Sequence, residues 1–383
     1  MTPMTARDAD VIRDDRMARL ALACVTDPAD PRVADQVQAE GALAFWHSLS
    51  ARRADSVWGR RVPGTRLDVV LAAMRRHGLR FVIPGDDEWP WSLDDLVHAT
   101  WEKARGRPLG LWVAGPGHLA DWAERSVAIV GSRASTAYGE AVAADLGADL
   151  SATGVTVVSG GAYGIDISAH RGALAAGGRT IAVLAGGLDH PYPRGNARLL
   201  DAVRTTGLLV SEQPPGERPS RSRFLWRNRI IAALARGTVV VEAANRSGAK
   251  NTVSWAEACS RILMAVPGPV TSACSEGAHE IIRDRDGKLV ANAAHIREAI
   301  APLGQETLPL VHGPARPVDR LSENQLAVFD EVPGRGGRTA EEVSIKCGLP
   351  LLVTITILGE LEDLGFVETT DLGRWKMKSG SVG

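Results

Sequence analysis

Ser126–Arg133 reads SVAIVGSR, an apolar run that is rich in β-branched residues and stops at a glycine turn. The same texture returns five times: VTVVSGG at Val155–Gly161, TIAVLAGG at Thr180–Gly187, LLVSE at Leu208–Glu212, TVVVEA at Thr238–Ala243 and ILMAVPG at Ile262–Gly268. Helix-length segments separate the runs. Strands that are apolar throughout, rather than alternating, are buried on both faces, and parallel strands joined by helices bury them in that way. The reading is an α/β fold with a doubly wound parallel sheet.

Working outward, residues from about 7 to 75 are dominated by Ala, Leu and Arg in helical spacing, with breaks at Asp27–Pro31 and Val62–Gly64. They predict a helical N-terminal domain over 1–75. A bridging stretch with Trp, Pro and the short strand candidate GLWVAGP leads into the sheet, so the central domain is expected over 76–303. Pro and turn residues mark a linker at 304–319. Residues 320–383 predict three helices and a β-wing, hence a C-terminal winged helix. Its third helix carries Glu360, Glu362 and Asp363 and has no Lys or Arg between Leu349 and Phe366. Facing DNA phosphates it would be repelled, so it predicts a protein-contact surface.

The bulk numbers exclude several classes. No apolar run is long enough to span a bilayer, and the N-terminus lacks the apolar core of a secretory signal, which predicts a cytoplasmic protein with no membrane partner. Four cysteines, Cys24, Cys259, Cys274 and Cys347, stand far apart without a CxxC pair, which predicts neither disulfides nor a metal site. The net charge of −1 is an average that hides local stripes of either sign.

Ligands of open parallel sheets bind at the carboxyl ends of strands. The turn Gly131-Ser132-Arg133 offers close backbone approach, helix-start N–H groups and a fixed cation, the outline of a phosphate site. A second turn runs from Ser159 through Gly160, Gly161, Tyr163 and Gly164 to Asp166, which could cap the following helix. Neither has GxGxxG spacing, and the second strand has no acidic tip for a ribose, so no dinucleotide cofactor is expected. Another loop, Ser247-Gly248-Ala249-Lys250-Asn251-Thr252, adds hydroxyls and a lysine near the same edge.

The segment RPSRSRFLWRNR, residues 218–229, interleaves five arginines with Phe224 and Trp226 and contains no acid. Cations with aromatics suit a single strand, because guanidinium groups neutralise phosphates while rings stack on unpaired bases. Arg221, Phe224, Arg227, Asn228 and Arg229 are the candidate contacts, with some of the arginines expected on a solvated helix face and Asn228 pinning a loop. Catalysis finds little support. Glu212 and Glu242 end strands, but no nucleophile elbow or Walker lysine accompanies them.

The ordered series IVGSR, SGGAYGID followed by AH, GGLD and YP, SE, FxxRNRII, SGxxxT and AVPG closely resembles the DNA-processing protein A (DprA/Smf) family from near Phe81 to about residue 303. The resemblance implies an extended Rossmann-like core, a homodimer, binding and protection of single-stranded DNA, and loading of the RecA recombinase in natural transformation or recombination, without catalysis. It points to Gly131, Ser132 and Arg133, to Gly160, Gly161 and Gly164, to Arg221, Phe224 and Arg227–Arg229, and to Lys250. Tyr163 replaces the family's usual arginine, Leu225 its proline, and Ala278 and His279 depart from a commoner Gly-Thr-Asn pattern. The alternative from another class is a phosphoribohydrolase-like nucleotide enzyme on a related fold, whose PGGxGTxxE signature is missing here.

Overall fold

The computed structural model describes residues 14–52, 55–244, 247–301 and 317–378. The expected helical start before Asp14 and most of the expected linker lie outside the described residues. The chain divides into two compact units, Met1–Thr307 and Leu308–Gly383.

The first unit opens with helices α1 (Asp15–Val25), α2 (Pro31–Glu40), α3 (Ala42–Ala51), α4 (Val57–Arg61) and α5 (Leu67–His77). The break at 27–31 works as a helix boundary for a local reason: the Asp30 carboxylate caps the Arg32 N–H and Pro31 occupies the first turn of α2. Gly78, in the left-handed region, ends α5. Strand β1 (Arg80–Val82), the hairpin β2 (Thr100–Trp101) and β3 (Ala104–Arg105), strand β4 (Leu111–Ala114) and the short helix α6 (Leu119–Glu124) make up the bridging stretch.

The six apolar runs then become β5 (Ser126–Val130), β6 (Thr156–Ser159), β7 (Thr180–Leu184), β8 (Leu208–Ser211), β9 (Gly237–Val240) and β10 (Ile262–Ala265), and a seventh short strand follows, β11 (Lys288–Leu289). Between them lie α7 (Ala137–Ala152), α8 (Ile165–Ala175), α9 (Ala197–Thr206), α10 (Arg221–Leu234), α11 (Ala249–Ala258) and α12 (Glu276–Asp284), with α13 (Ala293–Ile300) after the last strand. The sheet order is β1-β4-β8-β7-β6-β5-β9-β10-β11. From β8 to β11 all pairs are parallel, while β4 joins β8 and β1 joins β4 antiparallel.

Both sheet faces are covered, as continuous apolar strands demand. Ala128, Val130, Val158, Ile181 and Val240 meet Ile230, Ile231, Val253 and Trp255 of α10 and α11. The alternate residues Val127, Ile129, Val157 and Val239 meet Leu146 and Leu150 of α7 and Ala169 of α8. Further along that second face, Ala182, Leu184, Leu209 and Trp112 share an apolar core with Leu20, Leu22, Phe45 and Trp46 of the N-terminal helices.

The chain runs from β5 outward to β8 and then returns to set β9 on the other side of β5, in register at Ile129 and Val239. The connections leave β5 and β9 in opposite directions, so a crevice opens at their carboxyl ends.

The second unit contains α14 (Glu323–Asp330), α15 (Ala340–Cys347), α16 (Leu351–Asp363) and the hairpin β12 (Val367–Thr369) and β13 (Trp375–Met377), with Arg338 bridging to Trp375. Three helices followed by a two-stranded hairpin, with an isolated bridge at Arg338, give the order expected of a winged helix. Capping boxes at Ser322/Gln325 and Thr339/Glu342 set the starts of α14 and α15. Among the described residues no single helix is long and apolar enough to cross a membrane.

Candidate nucleic-acid interface

A cleft of about 620 Å³ occupies the crevice between β5 and β9. Three loops and the first turns of α10 build it. The turn after β5 contributes Gly131, Ser132, Arg133 and Ala134; the loop after β6 contributes Ala162 and Asp166; the loop after β9 contributes Ser247, Gly248, Asn251 and Thr252. Arg221, Phe224, Arg227 and Asn228 of α10 close the remaining side. The N-terminal ends of α8, α10 and α11 therefore border one space, and each helix presents its positive end there.

The turn after β5 is held from below. The Ser132 N–H donates to the Glu242 carbonyl at 2.7 Å, and its hydroxyl donates to the Ala134 carbonyl at 3.0 Å. The Glu242 carboxylate accepts from the Thr136 N–H and hydroxyl, at 2.9 and 2.6 Å, which clips the start of α7 to the end of β9. Glu242 is thus a fastener, and Glu212, the other strand-end carboxylate, is bound to Arg229. Both carboxylates are engaged inside the protein.

Arg133 stands exposed on this platform, its guanidinium 4.6 Å from the ring centroid of Phe224. Among the described residues no carboxylate lies within 4 Å of it or of Arg221, which is also exposed. Tyr192 packs against Phe224 as well, at 6.0 Å between centroids. The result is a half-buried ring with one exposed guanidinium over it and a second exposed arginine, Arg221, lining the same cleft.

The arginine run itself divides. Ser220 caps α10, and Arg223 turns back to Glu217 at 2.6 Å. Arg227 is buried under the cleft floor, donating to the Gly160 carbonyl at 2.6 Å and to the Val183 carbonyl. Burial pushes its pKa down to about 10, opposed by the field of Asp166. Arg229, with no exposed surface, donates through both terminal nitrogens to Glu212 at 2.7 and 2.8 Å and through Nε to the Gly106 carbonyl. Asn228 donates to Asn251 at 3.2 Å and so ties α10 to the first turn of α11.

Several of the residues singled out in the sequence stay outside the cleft. Every nitrogen of the Arg229 guanidinium is engaged inside the protein. Lys250 pairs with Glu280 at 2.6 Å, and Tyr163 is exposed beside Gly195. The glycines of the loop after β6 are required by packing. A Cβ at Gly160 would collide with the Arg227 guanidinium; one at Gly164, which sits at φ 78°, would collide with the Ser132 carbonyl. Gly161 likewise adopts a positive φ and lies off the cleft.

Asp166 is the buried acid of the site. Its carboxylate accepts the Ala162 N–H, and burial raises its pKa against the pull of Arg227 and Arg133. Beneath it His170 donates Nδ1–H to the Thr180 hydroxyl at 2.7 Å, that hydroxyl itself donating to the Val157 carbonyl; Nε2 has no hydrogen-bond partner among the described residues. Burial first, and Arg227 second, hold the imidazole down at about 3, so it is neutral. Asn251 falls in the loop after β9 and Tyr192 stands in the Tyr-Pro motif, but neither is among the candidate contacts read from the sequence. Only their places next to the Ser-Gly-Ala-Lys and Tyr-Pro motifs could have flagged them. Among the described residues no cluster of three metal-ligating side chains occurs.

The profile of the DNA recombination-mediator protein A family matches residues 80–301, more than half of the chain. The chain belongs to that family. A DprA relative from Mycobacterium tuberculosis is 46% identical over 323 residues, covering 82% of this chain and 80% of its own length. The DNA processing protein DprA of Streptococcus pneumoniae is 39% identical over 215 residues, covering 55% of this chain and 71% of its own. A crystal structure of DprA from S. pneumoniae superposes with a TM-score of 0.61 and 30% identity, covering 78% of this chain and 98% of that one. The family match spans the sheet and every loop of the cleft, so the cleft belongs to the part of the chain that makes it a DprA family member.

Proposed function

We propose that this DprA family member binds single-stranded DNA in the cleft at the β5/β9 crevice, protects it, and helps load a RecA-type recombinase onto it during natural transformation or recombination, without catalysing a reaction on it. The observation that carries the reading is the Phe224 ring with the Arg133 guanidinium over it, in a cleft that Arg221 also lines, both cations without a carboxylate partner among the described residues. Guanidinium groups and helix N-termini take backbone phosphates, and an aromatic ring takes an unpaired base that a duplex would not offer. Sequence preference is slight on this reading, because the cleft is lined by backbone, small residues and arginines rather than by base-edge readers.

The family membership supports the wider role: a cytoplasmic homodimer, with 1–75 as a helical domain and the winged helix at 320–383, tethered by the 304–319 linker, meeting protein partners through its acidic third helix. The test is a fluorescence-anisotropy titration of labelled single- and double-stranded oligonucleotides across salt concentrations. Preference for single strands, with affinity falling steeply as salt rises, supports the reading. Indifference to strandedness rejects it, and release of free base from a nucleotide would point to the phosphoribohydrolase class instead.

A further inference from the structure

A second cleft, of about 490 Å³, opens beside the first. The α1–α2 connection Asp27–Arg32, the turn of the β2–β3 hairpin from Trp101 to Ala104, and the side of α10 and α11 carrying Trp226 and Trp255 enclose it. The two clefts meet, since Leu225 and Asn251 line both. Trp101 and Trp226 are half-buried on its walls, whereas Trp255 is fully buried behind them.

These walls are braced. The Arg105 N–H donates to the Ala29 carbonyl at 3.0 Å, tying the hairpin to the α1–α2 connection, and Arg229 holds the Gly106 carbonyl from α10 at 3.2 Å. Their charges differ from those of the first cleft. Asp27, Asp30 and Glu102 outnumber Arg32 and Lys103. Arg32 is bound to Asp30 at 2.7 Å and stacks on Trp58, and Asp27 is paired with Arg61 at 3.2 Å. With Asp27 and Asp30 paired, only Glu102 and Lys103 remain without an ion-pair partner among the described residues, so a phosphate entering here meets no cluster of free cations, while a planar uncharged ring meets indole faces.

We propose that the second cleft takes unpaired bases of a strand whose backbone is held in the first cleft, with Trp101 and Trp226 as stacking surfaces. The proposal rests on the single-strand reading above and extends it: the strand leaves the phosphate site past Leu225 and Asn251 and turns its bases toward the hairpin. The first cleft supplies charge, the second supplies stacking, and a strand long enough to reach both binds more tightly than one that fills only the first.

The test titrates labelled oligothymidylates on the order of 4 to 16 nucleotides long, and the same lengths with abasic residues in one half, against the full chain and its Trp101→Ala and Trp101→Phe variants. The expected result is a rise in affinity beyond a threshold length. Abasic residues abolish that rise in the unaltered protein, Trp101→Ala reduces it about five- to a hundredfold, and Trp101→Phe largely restores it. Short strands bind the unaltered and variant proteins alike. Long strands that bind equally well with or without bases overturn the proposal, and that comparison needs no variant to fold. Absence of binding by any strand, short ones included, instead defeats the single-strand reading itself.

Discussion

Arg221 and Arg229 stand eight residues apart on one helix, in one run of arginines, and have opposite fates. At the start of α10 the chain has passed the sheet edge: Arg221 projects over the cleft, and Arg133 reaches across to the face of Phe224. Two turns later the helix lies on the sheet, and the same residue type is enclosed, Arg227 under backbone carbonyls and Arg229 in a bidentate pair with Glu212. Distance from the sheet edge, rather than residue type, decides whether an arginine meets a ligand or holds the fold. A guanidinium is buried here where carbonyls or a carboxylate take up its nitrogens, and an exposed one is available for binding where no acid has neutralised it.

The largest test of that contrast is at the buried end. Arg229→Ala leaves the Glu212 carboxylate buried and unpaired, and denaturation should show a loss of about 3–5 kcal/mol of stability. A double change, Arg229→Met with Glu212→Leu, should regain most of it. If Arg229→Ala instead left stability intact and weakened DNA binding alone, the division of α10 into two regions would be wrong.

The buried end also predicts a pH response. His170 titrates near 3 in the fold but at its ordinary 6.5 in the unfolded chain, which therefore binds the extra proton between those values. Its contribution to stability is present above pH 6.5 and is lost as pH falls toward 3, by up to about 1.4 kcal/mol per pH unit. Asp166, raised by burial, acts in the opposite sense, so the cleanest readout is the difference in melting temperature between the protein and His170→Asn across that range. A difference that does not change with pH would mean that the imidazole is not held neutral.

At the exposed end the effects move from stability to binding. Phe224→Ala should lower affinity for single strands by about 1–3 kcal/mol, measured by anisotropy, while Phe224→Trp retains it. Smallest of all, Arg133→Ala and Arg221→Ala should each flatten the salt dependence by roughly 0.7 in log–log slope, the value for one phosphate contact on a single strand, with melting temperatures unchanged. Lys250→Ala, paired as Lys250 is with Glu280, should leave that slope where it was; a lower slope would return this lysine to the interface.

Much of this was legible in the chain itself. Burial on two faces needs continuous apolar strands, so the six runs from Ser126 to Ala265 betray a parallel sheet, and the glycine turns after them mark the edge where a ligand enters. The arginine–aromatic run marked the right helix. Local pattern also predicted the winged helix, because caps, turn glycines and spacing act over a few residues.

Only the tertiary structure decided which members of those patterns face the cleft. Glu212 lies seventeen residues before Arg229 in the chain, and Gly160 lies sixty-seven before Arg227. Strand order brings these pairs together and turns two candidate contacts into internal fastenings. It also lays the N-terminal helices over one face of the sheet and sets Trp101 beside Trp226. A sequence states which side chains are available. Whether a charge is spent inside the protein or offered to a ligand depends on what the fold sets next to it, because desolvation and pairing act through space and not along the chain.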